Sequence, residues 1–124
     1  KEMAAVLPRA QRIGFSIAGP LIFRKYPYEE GYFLPIARRF RQALRMPLVY
    51  LGGVSTLATV HRALGEGFEF VAMGRALVRE PDLVNRMREG TATESTCVHC
   101  NKCMVSIFSG TRCVVDHPAP LVIR

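Results

Sequence analysis

The sequence predicts an α/β fold, and three observations carry that reading. Two short apolar runs, "PLVYLGG" and "FEFVAMG", each end in glycine. One stretch of helical periodicity separates them, and further helical patterns lie before the first run and after the second. Strands separated by single helices imply parallel crossover connections, the repeating unit of α/β folds.

Ile36, Phe40 and Leu44 recur at i, i+4 and i+8, which predicts a helix of about ten residues from near Pro35 to a stop before Pro47. Arg38, Arg39, Arg41 and Arg45 are then expected on its wet side. "PLVYLGG" is apolar without alternation, as a parallel strand covered on both faces would be. Ser55 offers an N-cap oxygen, and Leu57, Val60, His61 and Leu64 follow at helical spacing until Gly65 and Gly67. After the strand "FEFVAMG", the segment "EPDLVNRMREG" has Pro81 near a first turn and Asp82 where the helix dipole favours an acid. It directs Leu83, Val84 and Met87 inward and ends at Gly90. Upstream, Met3 to Ile17 reads as helix and Ala18 to Tyr32 as irregular chain. Beyond Gly90, "TATESTC" reads as a polar loop that carries a cysteine segment outside the αβ array. Two domains are expected, 1–90 and 91–124.

A chain of 124 residues with 49% apolar residues suits one ordinary domain with its own core. No apolar run approaches the ~18 residues of a membrane span, and Lys1 to Leu7 lacks the apolar core of a signal peptide. The expectation is a soluble, cytoplasmic protein with no membrane partner. The absence of a starting Met suggests a piece of a longer chain. The formal charge of +7 is scattered rather than gathered on one stripe, Trp is absent, and aromatic residues do not alternate with basic ones. A nucleic-acid partner is therefore not expected.

Both strands end in glycine at the edge where parallel sheets bind ligands. Gly52 and Gly53 close the first, and Gly74 with Arg75 closes the second. Glycine lets backbone N–H groups approach an anion, a helix N-terminus behind each loop adds partial positive charge, and the guanidinium offers a planar donor fork. The plainer reading is that these glycines only make tight strand-to-helix turns. All four cysteines, Cys97, Cys100, Cys103 and Cys113, follow as C-x2-C-x2-C-x9-C. Two-residue gaps let thiolates converge on one centre while a distant fourth closes the coordination sphere. A [4Fe-4S] cluster, structural Zn, disulfides and unligated thiols are the alternatives, with His99 as a substitute ligand or a loop histidine facing solvent.

The stretch "MPLVYLGGVSTLATVHRALGEGFEFVAMGRALVREPDLVNRMREG" resembles the closing βαβα segment of the Old Yellow Enzyme family, the NADH:flavin oxidoreductases. The following "CVHCNKC" with a later cysteine is similar to the cluster segment of its 2,4-dienoyl-CoA reductase and trimethylamine dehydrogenase branch. That branch has a three-residue gap before its third cysteine, so iron–sulfur and zinc both stay open. The resemblance implies the last two strands of a (β/α)8 TIM barrel followed by an irregular Cys-rich segment, with Gly52, Gly53, Gly74 and Arg75 on the FMN phosphate. It implies NAD(P)H as reductant, an enone or dienoyl thioester as acceptor, and a cluster that relays single electrons. No residue here matches the family's substrate-binding or proton-donating segments, so the isolated chain is expected to be inactive. Its open strand edges favour an oligomer. The alternative is a small zinc-binding interaction module with a basic surface.

Overall fold

The computed structural model describes residues 11, 13, 27–107 and 110–116. Gln11 and Ile13 are helical; the rest of the helix expected over Met3 to Ile17, and the chain from Ala18 to Tyr26, lie outside the described residues. The chain divides into two compact units, Tyr28–Cys100 and a second formed by Lys1–Pro27 with Asn101–Arg124.

The first unit is α/β. Helix α1 (Leu34–Ala43) leads to strand β1 (Val49–Leu51), helix α2 (Leu57–Gly65), strand β2 (Phe70–Ala72), and two short helices, α3 (Arg75–Arg79) and α4 (Leu83–Arg88). The two strands run parallel, with Val49 opposite Phe70, Tyr50 opposite Val71 and Leu51 opposite Ala72. The short helix α3 was not expected. It fills the stretch between Gly74 and Glu80, where Pro81 stops it from running into α4.

Packing explains why these elements hold together. Leu34, Tyr50, Val54, Ala63 and Phe68 form one buried cluster, and Ala76, Leu83 and Met87 form a second. Met73 packs against both. The Tyr50 ring lies 5.4 Å from that of Phe68, and its hydroxyl, which burial would otherwise leave unsatisfied, donates to the Gly52 carbonyl at 2.6 Å.

Several expected faces are corrected by this packing. By the residues described, the first strand is covered on one face. Within the described residues Tyr50 points into the core, whereas Val49 and Leu51 are 58% and 62% exposed and Phe70 is 60% exposed. The stripe Ile36, Phe40 and Leu44 also faces outward. What docks α1 is Leu34 with Ala37, while Arg38, Arg39 and Arg45 are exposed as expected and Arg41 is half-buried. Arg38 forks onto Glu66, with Nε to Oε2 at 2.6 Å, and Arg41 Nη1 spans Glu69 at 3.1 and 3.2 Å. Arg41 Nη2 also donates to the Leu44 carbonyl at the helix end at 2.6 Å. Exposed pairs of this kind contribute at most about 1 kcal/mol each, so they set orientation more than stability. On α2 the buried stripe is Thr59 and Ala63, with His61 and Leu64 outside. On α4, Val84 is exposed while Leu83 and Met87 are buried.

The loop after Gly90 is stitched to the αβ unit. Leu57 N donates to the Thr93 carbonyl and Ser95 N to the Ser55 carbonyl, both at 2.8 Å. Glu80 accepts from Ser95 Oγ at 2.6 Å, from Thr96 N at 2.7 Å and from Arg86. In the second unit, Asn101 in the left-handed region opens a 3-10 helix, Lys102–Ser106. Buried Ser106 bonds to the Cys103 carbonyl at 2.8 Å and accepts from Arg112 N at 3.1 Å.

Leu83→Ala should destabilise the fold by about 2–5 kcal/mol through a cavity in the second cluster. Its exposed neighbour changed as Val84→Ala should shift stability by no more than about 0.5 kcal/mol. Denaturant midpoints of the two variants check the assignment of inner and outer faces.

Candidate functional site

The two strand ends meet at one cavity of about 160 Å³. Gly52, Gly53, Gly74 and Arg75 all line it, together with Tyr28, Tyr32 and His99. The residues marked by sequence thus share one site, and three aromatic residues complete its wall.

The glycines at the two strand ends serve different ends. Gly52 and Gly53 have φ of +142° and +66°, and a Cβ on either would meet the Phe33 side chain or the Tyr32 ring at 2.6 Å. Here the turn itself demands glycine, as the plainer reading held. Gly74 has an ordinary negative φ, and a Cβ there would meet nothing within 4 Å. The space above Gly74 is open to a ligand.

The expectation of two positive helix ends needs correction at the first loop. The N-cap of α2 is Thr56, whose hydroxyl accepts from Thr59 N at 3.1 Å, rather than Ser55. Leu57 N donates to the Thr93 carbonyl, and Glu30 takes the donors of Ser55 and Thr56. Its Oε1 accepts from Ser55 N at 2.8 Å and Thr56 N at 3.0 Å, and its Oε2 accepts from Ser55 Oγ at 2.6 Å and from the Tyr28 hydroxyl. A carboxylate of the chain occupies the positive end of α2, which leaves Arg75 as the cationic wall of the cavity.

Partial burial on its own raises the Glu30 carboxyl, but the bonds from Ser55, Tyr28 and the backbone outweigh it and hold the group at about 2. Burial, and then the bond to Glu30, push the Tyr28 phenol up to about 12, so it stays a neutral donor. With its hydroxyl tied down, the Tyr28 ring becomes a platform. His99 stacks on it with centroids 3.4 Å apart and planes 6° from parallel, and the Arg75 guanidinium lies 5.6 Å from the ring centre. His99 sits in the left-handed region at φ 51°, and its Nδ1 is buried with no hydrogen-bond partner. Burial, and then Arg75, lower its basicity.

Sequence reading missed Tyr28 and Glu30 because "YPYEEGYF" looks like a polar turn. A signal existed: α2 carries no acid in its own first turn, so an acid from elsewhere was wanted there.

The four cysteines are divided between the two units. Cys97 and Cys100 belong to the αβ unit, where Cys97 N donates to Ser95 Oγ at 3.1 Å, and Cys103 and Cys113 belong to the second unit. None of the four forms a disulfide. Among the described residues, no three His, Cys, Asp or Glu side chains form a group that could hold a metal ion. Ser106, bonded to both Cys103 and Arg112, ties the two cysteine-bearing stretches of its unit together. Among the described residues, no helix is long and apolar enough to cross a membrane.

The chain is similar to a 4,4'-dithiodibutanoate disulfide reductase of Rhodococcus erythropolis, at 55% identity over 123 residues, 99% of this chain and 30% of that protein. An NADH oxidase of Thermoanaerobacter brockii is 25% identical over 84 residues, 66% of this chain and 13% of that protein. A multifunctional alkene reductase/demethylase OYE of Caballeronia cordobensis is 34% identical over 73 residues, 57% and 11% of the two chains. The chain spans 30% or less of the length of these relatives. No family model and no solved structure matches it.

Glu30 and Glu80 are both held at about 2, below the ordinary 4.5. A carboxylate depressed in the folded state stabilises fully above its unfolded value and loses that contribution as pH falls towards the folded one. Stability should therefore drop between about pH 4.5 and pH 2, and Glu30→Gln should be less stable at neutral pH with a shallower acid decline. Thermal midpoints measured across that range check this; parallel curves for the two proteins would contradict it.

Proposed function

We propose that this chain, a segment of an Old Yellow Enzyme-like NADH:flavin oxidoreductase, supplies the phosphate-binding corner of an FMN site. The observation that carries the reading is the convergence of Gly52, Gly53, Gly74 and Arg75 on one cavity. Bound FMN would supply hydride chemistry, taking two electrons from NAD(P)H and passing them to a reducible substrate. The chain's own residues would bind and orient. Arg75 offers a planar donor fork to phosphate oxygens, open space over Gly74 admits the phosphoryl group, and the fixed turn at Gly52 and Gly53 bounds the cavity. The larger architecture proposed around this corner is a (β/α)8 barrel, in which loops after the last two strands commonly hold phosphate.

Two acceptor classes stand beside each other. An activated alkene, an enone or dienoyl thioester, agrees with the alkene reductase similarity. An organic disulfide agrees with the 55% identity to a protein named for that reaction. NADH consumption by the full-length protein with an enone against a small dicarboxylate disulfide separates them. The four cysteines are proposed to hold a [4Fe-4S] cluster, with zinc as the alternative, on the strength of their spacing.

In the full-length protein, Arg75→Ala should weaken FMN binding by about 1.5–3 kcal/mol, the value of a hydrogen bond to a charged group. Unchanged affinity in a fluorescence titration would defeat the phosphate assignment. Anaerobically purified protein should carry about four irons with four sulfides, or else about one zinc. Replacing any one of Cys97, Cys100, Cys103 or Cys113 by Ser should lower that occupancy. Protein that holds neither metal, with all four thiols reactive, would leave the cysteines without a shared role.

A further inference from the structure

His99 is the part of the cavity wall that the glycine and arginine pattern does not explain. Its backbone occupies the left-handed region, an uncommon conformation for a residue with a side chain. Its ring is fixed against Tyr28, itself anchored through Glu30 to the start of α2. Its Nδ1 is shut away from water and has no partner in the chain. A buried polar nitrogen left unpaired is unfavourable, because it has given up its bond to water and gained none in return. Two unfavourable features thus coincide on one residue of a cavity that also presents Arg75.

We propose that His99 is a ligand-contacting residue of this cavity, and that the phosphoryl group of FMN supplies the missing hydrogen-bond partner of its Nδ1. The inference rests on the phosphate reading of the cavity and extends it to a second nitrogen donor among the lining residues. A phosphate monoester accepts several bonds at once, so Arg75 and His99 can serve the same group. A neutral imidazole donates from one nitrogen, which the phosphoryl group would select as Nδ1, and the stack on Tyr28 holds the ring in place. His99 lies between Cys97 and Cys100 in the chain, so the bound phosphoryl group would also fix the backbone between these two thiols.

Three substitutions in the flavin-free full-length protein test this, each titrated with FMN and with riboflavin, which has the same ring system and no phosphate. His99→Phe keeps a ring for Tyr28 and removes the donor. His99→Asn restores a nitrogen near the Nδ1 position and accepts the left-handed backbone readily. Arg75→Ala reports on the phosphate reading alone. The expected result is FMN affinity lowered ~10-fold or more in His99→Phe, riboflavin affinity unchanged, and FMN affinity largely recovered in His99→Asn. FMN affinity retained in His99→Phe while Arg75→Ala loses it would overturn the His99 inference and leave the phosphate site standing. Equal losses for FMN and riboflavin in His99→Phe would reduce His99 to a structural wall and overturn it as well. No discrimination between FMN and riboflavin in any of the proteins would remove the phosphate reading and this inference together. Should His99→Phe fail to fold, the unsubstituted protein labelled with 15N-histidine decides: the His99 Nδ1 resonance should move when FMN saturates the protein and stay in place with riboflavin. An unmoved resonance overturns the proposal.

Discussion

The carboxylate of Glu30 is the interaction on which the site depends. Through bonds to Ser55 and Thr56 it closes the exposed end of α2, and through Tyr28 it pins the approach to α1 against the loop after β1. Without it, the N–H and hydroxyl groups of both Ser55 and Thr56 would need other acceptors, and the Tyr28 hydroxyl would keep only Ser55 Oγ as a partner. The ring of Tyr28 would then no longer present a fixed face to His99 and Arg75. One carboxylate therefore satisfies a helix terminus and holds the aromatic wall of the cavity in place. It also keeps the positive potential of α2 from reaching the cavity, so charge selection there falls to Arg75.

The elements that sequence reading found are those whose cause is local. Strand ends marked by Gly52, Gly53 and Gly74, the stop of α2 at Gly65, and the span of α1 between Pro35 and Pro47 follow from neighbouring residues. The faces were harder to read. Ile36, Phe40 and Leu44 form a clean apolar stripe that is exposed in this chain, while Arg38 and Arg41 on the same helix pair with Glu66 and Glu69. Those pairings join residues 28 apart, and no periodicity within α1 reveals them. The glycine and arginine half of the cavity was legible for the same reason as the strands. Tyr28 was not, since its role comes from Ser55 and His99 rather than from its own neighbours.

The two halves of the cavity differ in how they hold their shape. The turn at Gly52 and Gly53 is determined by sterics, with the rings of Phe33 and Tyr32 lying where a side chain would go. The opposite wall is held by stacking and hydrogen bonds around Tyr28, which are directional and weaker. A phosphoryl group that entered would meet a rigid floor and a wall whose geometry rests on a charge network.

The parallel pairing of β1 and β2 has a consequence for how the unit forms. Its tertiary contacts join residues that are close in sequence: Leu48 to Glu69 across 21 positions, Glu30 to Ser55 across 25, Arg38 to Glu66 across 28. Loop-closure entropy rises only slowly with length and is modest at these separations. Parallel sheets assembled from distant strands are slow to nucleate, whereas this pair can register as soon as the intervening helix is in place. The cavity lies at the ends of those two strands, so its floor would be an early product of folding.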